Sequence, residues 1–294
     1  MLEVLLKHRK VTWIWLYIIS LVSGLVIRLS IWLFREIPKP GSSYLLSSHN
    51  IFNVVFANNC FLWFTPCYVS VSWLLLKSRI NKDDRYTDPE DADQANFLPL
   101  TAADLGYHPH LRTNGNLIFL QTAKMILIYL WVGILRVWCF GNSLFDRYLI
   151  HTGGHCVFDE ASPYFGTSPN YDTCVSELGV WDGGVKFSGH MLVLGTFSLM
   201  LIYELRNYAV IRSLNEQDNT VSISKIQFHN FVFSIEDAVV GFSAFVLLMW
   251  YGLFIDTAIF FHTTTEKVVG LACALAVPYL LYIFKPTKKY FSVL

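Results

Sequence analysis

Charge is the first thing this sequence is short of. Asp, Glu, Lys and Arg make up only 15% of the 294 residues, against about 25% in ordinary globular domains. The 22 basic and 22 acidic residues cancel, and no long basic run exists, so nothing points to a nucleic-acid partner. The six cysteines form no C-x-x-C pair, which argues against a zinc site. No Asn-x-Ser/Thr acceptor for N-glycosylation occurs. No internal repeat of useful length is visible, which sets solenoid architectures aside.

What is abundant is apolar surface. Hydrophobic residues account for 54% of the chain, more than a soluble core of this size hides without leaving aggregation-prone patches. The solvent implied is a bilayer. From Val11 to Phe34 the chain is almost wholly apolar. That run is longer than the roughly 7–15 residue core of a signal peptide and lacks a small-residue cleavage site, so it reads as a retained first span.

A spanning helix needs about 20 mainly apolar residues. Six runs meet that need or come close: 11–34, 54–76, 116–140, 189–206, 238–261 and 266–284. The expected fold is therefore all-α, a six-helix transmembrane bundle occupying the chain as a single domain. Trp and Tyr near several run ends fit interface belts. With the N-terminus cytosolic, fourteen Lys and Arg fall on the cytosolic side. Five fall opposite: Arg35, Lys39, Arg147, Lys186 and Lys267. The positive-inside bias places both termini in the cytosol. Residues 77–115, mixed in charge, read as a flexible cytosolic loop. Residues 141–187, rich in Gly, Ser, Pro and Asp, form the largest loop on the other side. That loop holds Cys156 and Cys174. In an oxidising compartment they are expected to pair, with Cys60 and Cys139 as alternative partners.

Ionisable residues at membrane depth mark function more often than packing. Arg28, Lys124, Arg136 and Asp256 all fall within apolar runs or at their ends. Snorkelling to headgroups is the competing explanation for Arg28 and Arg136. Two of the nine histidines fall at the non-cytosolic mouth, although histidines played no part in fixing orientation. His190 opens the fourth run after Lys186-Phe187-Ser188-Gly189, and His262 closes the fifth before Thr263-Thr264-Thr265-Glu266-Lys267. Ser188 and Gly189 at a helix start offer backbone amides and a positive dipole end to phosphate, with Lys186 beside them. His262 and Glu266, four apart, would share a helical face, where a carboxylate fixes an imidazole tautomer. A histidine so oriented can act as nucleophile, and a second one across a cleft as general acid.

Phe187-Ser188-Gly189-His190 running into Met191-Leu192-Val193-Leu194, and Phe260-Phe261-His262 followed by Glu266-Lys267-Val268-Val269-Gly270, resemble the two signature regions of the fat storage-inducing transmembrane (FIT) family. The resemblance covers spans three to six, and the longer 77–115 loop is similar to that of fungal members. It implies a six-span protein of the endoplasmic reticulum with both termini cytosolic, distantly related to the lipid phosphate phosphatases. The activity implied is an acyl-CoA diphosphatase supporting lipid-droplet formation. It would cleave fatty acyl-CoA to acyl 4′-phosphopantetheine and 3′,5′-ADP with no cofactor or metal. The partners implied are the acyl-CoA substrate and membrane lipids. By the same resemblance His262 attacks phosphorus, His190 protonates the leaving group and Glu266 orients His262. Phosphate binding falls to Ser188, Gly189, Lys186, Arg136 and Lys267. Two superfamily features are missing: Asp256 stands where its third motif has arginine, and no first-motif Lys with Arg-Pro is present. The alternatives are a non-catalytic protein that binds diacylglycerol or triacylglycerol, and a lipid phosphate phosphatase.

Overall fold

The computed structural model describes residues 13–34, 50–83, 114–136, 143–159, 163–167, 169–222 and 234–291. Most of the 77–115 loop, residues 84–113, lies outside these, as does Cys139. Among the described residues the long helices are α1 (Ile14–Phe34), α2 (Cys60–Asp83), α3 (Asn114–Arg136), α6 (Gly189–Ser222), α7 (Ile235–Phe260) and α8 (Thr264–Tyr282). A short π-helical stretch, Asn53–Asn58, precedes α2. Between α3 and α6 sit α4 (Leu144–His151), β1 (His155–Val157), α5 (Tyr171–Ser176) and β2 (Val180–Asp182). A final helix, α9 (Lys285–Phe291), follows α8.

Among the described residues five helices, α1, α2, α3, α7 and α8, are long and apolar enough to cross a membrane. The chain is thus a mostly helical, multi-pass membrane protein. Helix α6 is different. From Met191 to Ile211 every residue except Arg206 is buried, so its neighbours shield it on all sides and it presents no lipid-facing stripe. This explains why it runs well past residue 206, where the apolar run in the sequence ends: Tyr208, Ala209 and Ile211 are as buried as the residues before them.

Small residues let the helices close on this centre, as expected where packing rather than hydrophobicity drives association. A Cβ at Gly270 of α8 would fall 2.7 Å from the Ser188 carbonyl oxygen, and one at Gly195 of α6 would fall 2.9 Å from Ala274 Cβ. Aromatic rings fill the opposite side. Phe197 stacks on Phe64 of α2 with centroids 4.5 Å apart, and Trp250 donates its indole N–H to the Phe56 carbonyl at 2.9 Å. Apolar surroundings offer no water, so these internal partners are required.

One polar group lies deep in the bundle. Lys124 and Glu204 form a 2.7 Å ion pair with both side chains fully buried. Gln121 donates to the Glu204 carboxylate at 3.0 Å, Asn207 at 3.3 Å and the Tyr282 hydroxyl directly. Tyr68 donates to Gln121 in turn, at 2.7 Å. This network ties α2, α3, α6 and α8 together. Sequence reading singles out Lys124 but overlooks Glu204, although an acidic residue within an apolar run was a sufficient signal. A cavity of about 200 Å³, lined mainly by apolar side chains and by Tyr68 and Gln121, opens between α2 and α3 beside it.

The segment between α3 and α6 is a small stapled lobe. Strands β1 and β2 pair antiparallel, with Cys156 opposite Trp181. Cys156 is bonded to Cys174 of α5, with Cα atoms 5.9 Å apart. Cys60, the alternative partner within the described residues, is a buried free thiol. Gly179 leaves room for the bridge: a Cβ there would lie 2.6 Å from the Cys156 sulfur. Phe145 and Tyr148 of α4 pack on Phe187 at 4.5 and 4.6 Å and so seat the residues that enter α6. The crosslink closes a sequence separation of 18, which stabilises by about 3 kcal/mol in the chain-entropy account. Cys174→Ser is expected to open the lobe while leaving the helices intact. Limited proteolysis with mapped cleavage sites would then show new cuts within 155–182. An unchanged digestion pattern would mean that the bridge contributes little.

Candidate active site

The site residues gather where α3 ends and α6 and α8 begin. Ser188 caps α6: its hydroxyl accepts from the Met191 amide at 3.3 Å and its carbonyl from the Leu192 amide at 3.2 Å. Its own amide donates to the Glu266 carbonyl at 3.3 Å, which fastens the start of α6 to the first turn of α8. Gly189 and His190 are then the first two residues of the helix, whose leading amides have no intrahelical acceptor. Arg136, the last residue of α3, covers this point. Its guanidinium carbon lies 3.7 Å from where a Gly189 Cβ would be, and Arg136 is itself exposed. A helix N-terminus and a free guanidinium at one spot form an anion-attracting pair.

His262 follows α7 and precedes α8 in a tight connection. The spacing to Glu266 suggests a shared helical face, but the structure obtains the pairing differently. His262 lies outside both helices, with φ at +60°, and Thr263 is the N-cap of α8 in a capping box with Glu266. The Glu266 carboxylate accepts from the Thr263 amide at 2.9 Å and contacts His262 Nδ1 at 3.2 Å. One side chain therefore both starts the helix and orients the imidazole, fixing which ring nitrogen carries the proton. Burial lowers the His262 pKa below the usual histidine value, and Glu266 opposes that shift only in part.

His190 and His262 lie within electrostatic reach of each other, and Arg136 within reach of His190. Lys186 acts electrostatically on His262, its ammonium resting 3.4 Å from the centroid of the Tyr171 ring. Lys267 is placed otherwise. It is fully buried, donates to the Ala258 carbonyl at 2.6 Å and, like Lys186, acts electrostatically on His262. Asp256 is a partly buried residue of α7. Among the described residues no cluster of three His, Cys, Asp or Glu side chains could hold a metal ion.

Chemically, the arrangement offers a carboxylate-oriented imidazole, a second imidazole nearby, and a guanidinium with helix amides for negative oxygens. These groups lie together at one end of the helical bundle of a membrane protein. The model of the fat storage-inducing transmembrane (FIT) proteins matches residues 41–282, and the chain belongs to that family. It is 28% identical over 184 residues to the acyl-coenzyme A diphosphatase fit1 of Schizosaccharomyces pombe, an alignment covering 60% of this chain and 63% of that relative. It is 28% identical over 250 residues to the acyl-coenzyme A diphosphatase YFT2 of Saccharomyces cerevisiae, covering 82% and 80%. With the acyl-coenzyme A diphosphatase FITM2 of Mus musculus it shares 25% over 257 residues, covering 87% and 75%. No solved structure matches the chain.

Proposed function

We propose that this protein is a fatty acyl-CoA diphosphatase of the endoplasmic reticulum, cleaving the CoA pyrophosphate to give acyl 4′-phosphopantetheine and 3′,5′-ADP at the luminal face. The carrying observation is a His262 held by the Glu266 carboxylate, with His190 at the start of α6 within its electrostatic reach. Helix α6 is the sixth span in this reading, both termini are cytosolic, and the bundle is lipid phosphate phosphatase-like. The acyl chain lies among the helices and the nucleotide faces the lumen. His262 attacks one phosphorus and forms a phosphohistidine as the P–O bond of the anhydride breaks. His190 protonates the departing oxygen, then takes a proton from the water that hydrolyses the intermediate. Arg136, Lys186 and the Ser188-Gly189 start of α6 hold the non-bridging oxygens, where charge grows.

The direct test is purified protein incubated with an acyl-CoA and assayed for 3′,5′-ADP. The cavity beside Gln121 favours a second reading, a neutral-lipid binder. Binding of triacylglycerol without any release of 3′,5′-ADP would establish that reading in place of the first. Hydrolysis of a phosphatidate without attack on acyl-CoA would instead establish a lipid phosphate phosphatase.

The pH profile follows from His262. Its attacking form is neutral, and burial lowers its pKa, so the acid limb of kcat/KM is expected below about pH 6.5, the unperturbed value. Glu266 stabilises the protonated form. Glu266→Gln should therefore shift the limb to still lower pH while lowering the plateau by about 10–100-fold, as loss of an orienting partner does. A limb that moves upward in this variant would remove Glu266 from contact with the titrating group.

A further inference from the structure

Arg28 is the only charged residue of α1, and it reaches the turn that holds His262. Four residues before it, Gly24 lies against α7: a Cβ at Gly24 would fall 2.7 Å from Ala258 Cβ and 3.2 Å from the Ala258 carbonyl oxygen. The two helices touch nearly backbone to backbone there, which only glycine allows. One turn further along α1, the Arg28 guanidinium donates from Nη1 to the His262 carbonyl at 2.6 Å and to the Phe261 carbonyl at 3.3 Å.

These acceptors matter because of where they lie. Phe261 is the C-cap of α7 and His262 follows it, so neither carbonyl has an intrahelical donor, and His262 adopts a left-handed backbone that most residues with a side chain avoid. Among the described residues only Leu178 shares that property outside glycine. The turn is held from both sides by buried or half-buried cations, Lys267 on Ala258 and Arg28 on Phe261 and His262. Strained backbone persists only where its surroundings over-determine it, and such positions cluster at reacting groups.

We infer that Arg28 is a positioning residue: it clamps the Phe261-His262 carbonyls so that the His262 imidazole stays against Glu266 and toward His190. The inference rests on the reading of His262 as the attacking group. A headgroup anchor needs only a positive charge at this depth. A clamp on two carbonyls needs a donor held at the position of Nη1 between them, which a lysine ammonium, one bond shorter and without the planar guanidinium geometry, does not reproduce.

The experiment compares wild type, Arg28→Lys, Arg28→Met and His262→Ala, each purified in detergent with its thermal stability recorded. Two readouts are taken: acyl-CoA hydrolysis, and the rate at which diethyl pyrocarbonate modifies His262, followed by mass spectrometry. Arg28→Met is expected to lower kcat by about 10–100-fold, the range of a supporting partner, with KM changed less than about twofold because Arg28 does not touch substrate. Arg28→Lys should lose several-fold despite keeping the charge. His262 should be modified several-fold faster in both variants. Wild-type kcat and wild-type labelling in Arg28→Lys would overturn the inference and leave a headgroup anchor. Should Arg28→Met fail to fold, Arg28→Lys decides alone. An inactive wild type whose His262 labelling still responds to Arg28 would sink the diphosphatase reading while the clamp stands.

Discussion

His262→Ala is expected to reduce release of 3′,5′-ADP from acyl-CoA to background. Expression, membrane insertion and thermal stability should stay close to wild type. His262 lies in a connection between helices and is only partly buried, so little packing is lost. The chemical loss is large because the bond to phosphorus forms at this residue, and no neighbour of the described site can substitute. His190→Ala should be nearly as damaging, by about 10²–10⁴-fold, the usual contribution of a general acid. The measurement is a steady-state assay with each variant's folded fraction determined beforehand. Near wild-type turnover in His262→Ala would leave a lipid-binding bundle whose histidines do other work.

Lys124→Met should be the most destabilising single change in the bundle. It leaves the Glu204 carboxylate fully buried with hydrogen bonds from Gln121, Asn207 and Tyr282 but no counter-charge. Removing one partner of a buried pair costs about 3–5 kcal/mol, whereas replacing both is often close to neutral. Lys124→Met combined with Glu204→Gln should therefore recover much of the loss, since no charge is left buried and the glutamine oxygen can accept from Gln121 while its amide donates to the Tyr282 hydroxyl. Thermal denaturation in detergent distinguishes these outcomes as a double-mutant cycle. If the double variant is as unstable as the two single losses added together, the pair is not coupled in the way its geometry implies. Neither change should alter the pH profile of the histidine site. Glu204 lies fourteen residues along α6 from His190, about 21 Å of helix.

Five of the six apolar runs coincide with helices long and apolar enough to cross a membrane, because runs of this length have one physical explanation. The start of α2 and the end of α6 depart from the runs, α6 continuing to Ser222. The chain from residue 54 makes a π-helical stretch before the helix proper begins at Cys60, and periodicity does not encode that change of winding. The histidines could be singled out as candidates because ionisable groups at membrane depth are rare. Their local geometry was not: the i, i+4 spacing of His262 and Glu266 suggested a helix, yet the pairing arises from a capping box reaching back to a left-handed residue. Lys186 and Lys267 look alike in sequence, each a cation beside a histidine motif. Only packing separates the one resting on Tyr171 near His262 from the one buried against Ala258. Arg28 could be noticed but not interpreted, because its partners lie more than 230 positions away in the chain.

The burial of α6 on every side bears on how the protein is made. A segment carrying Glu204, Arg206 and Asn207 within its length is a poor candidate to settle in lipid by itself, given a cost of about 2.5–3.5 kcal/mol for each charge near a bilayer centre. It emerges after Lys124 and Gln121 but before Tyr282. Helices α2 and α3 can therefore receive it first, Lys124 neutralising Glu204, while Tyr282 completes the network only once α8 has arrived. A chain truncated before residue 264 should retain the ion pair yet lack both the closing hydroxyl and the helix that packs on Gly195 and Ser188.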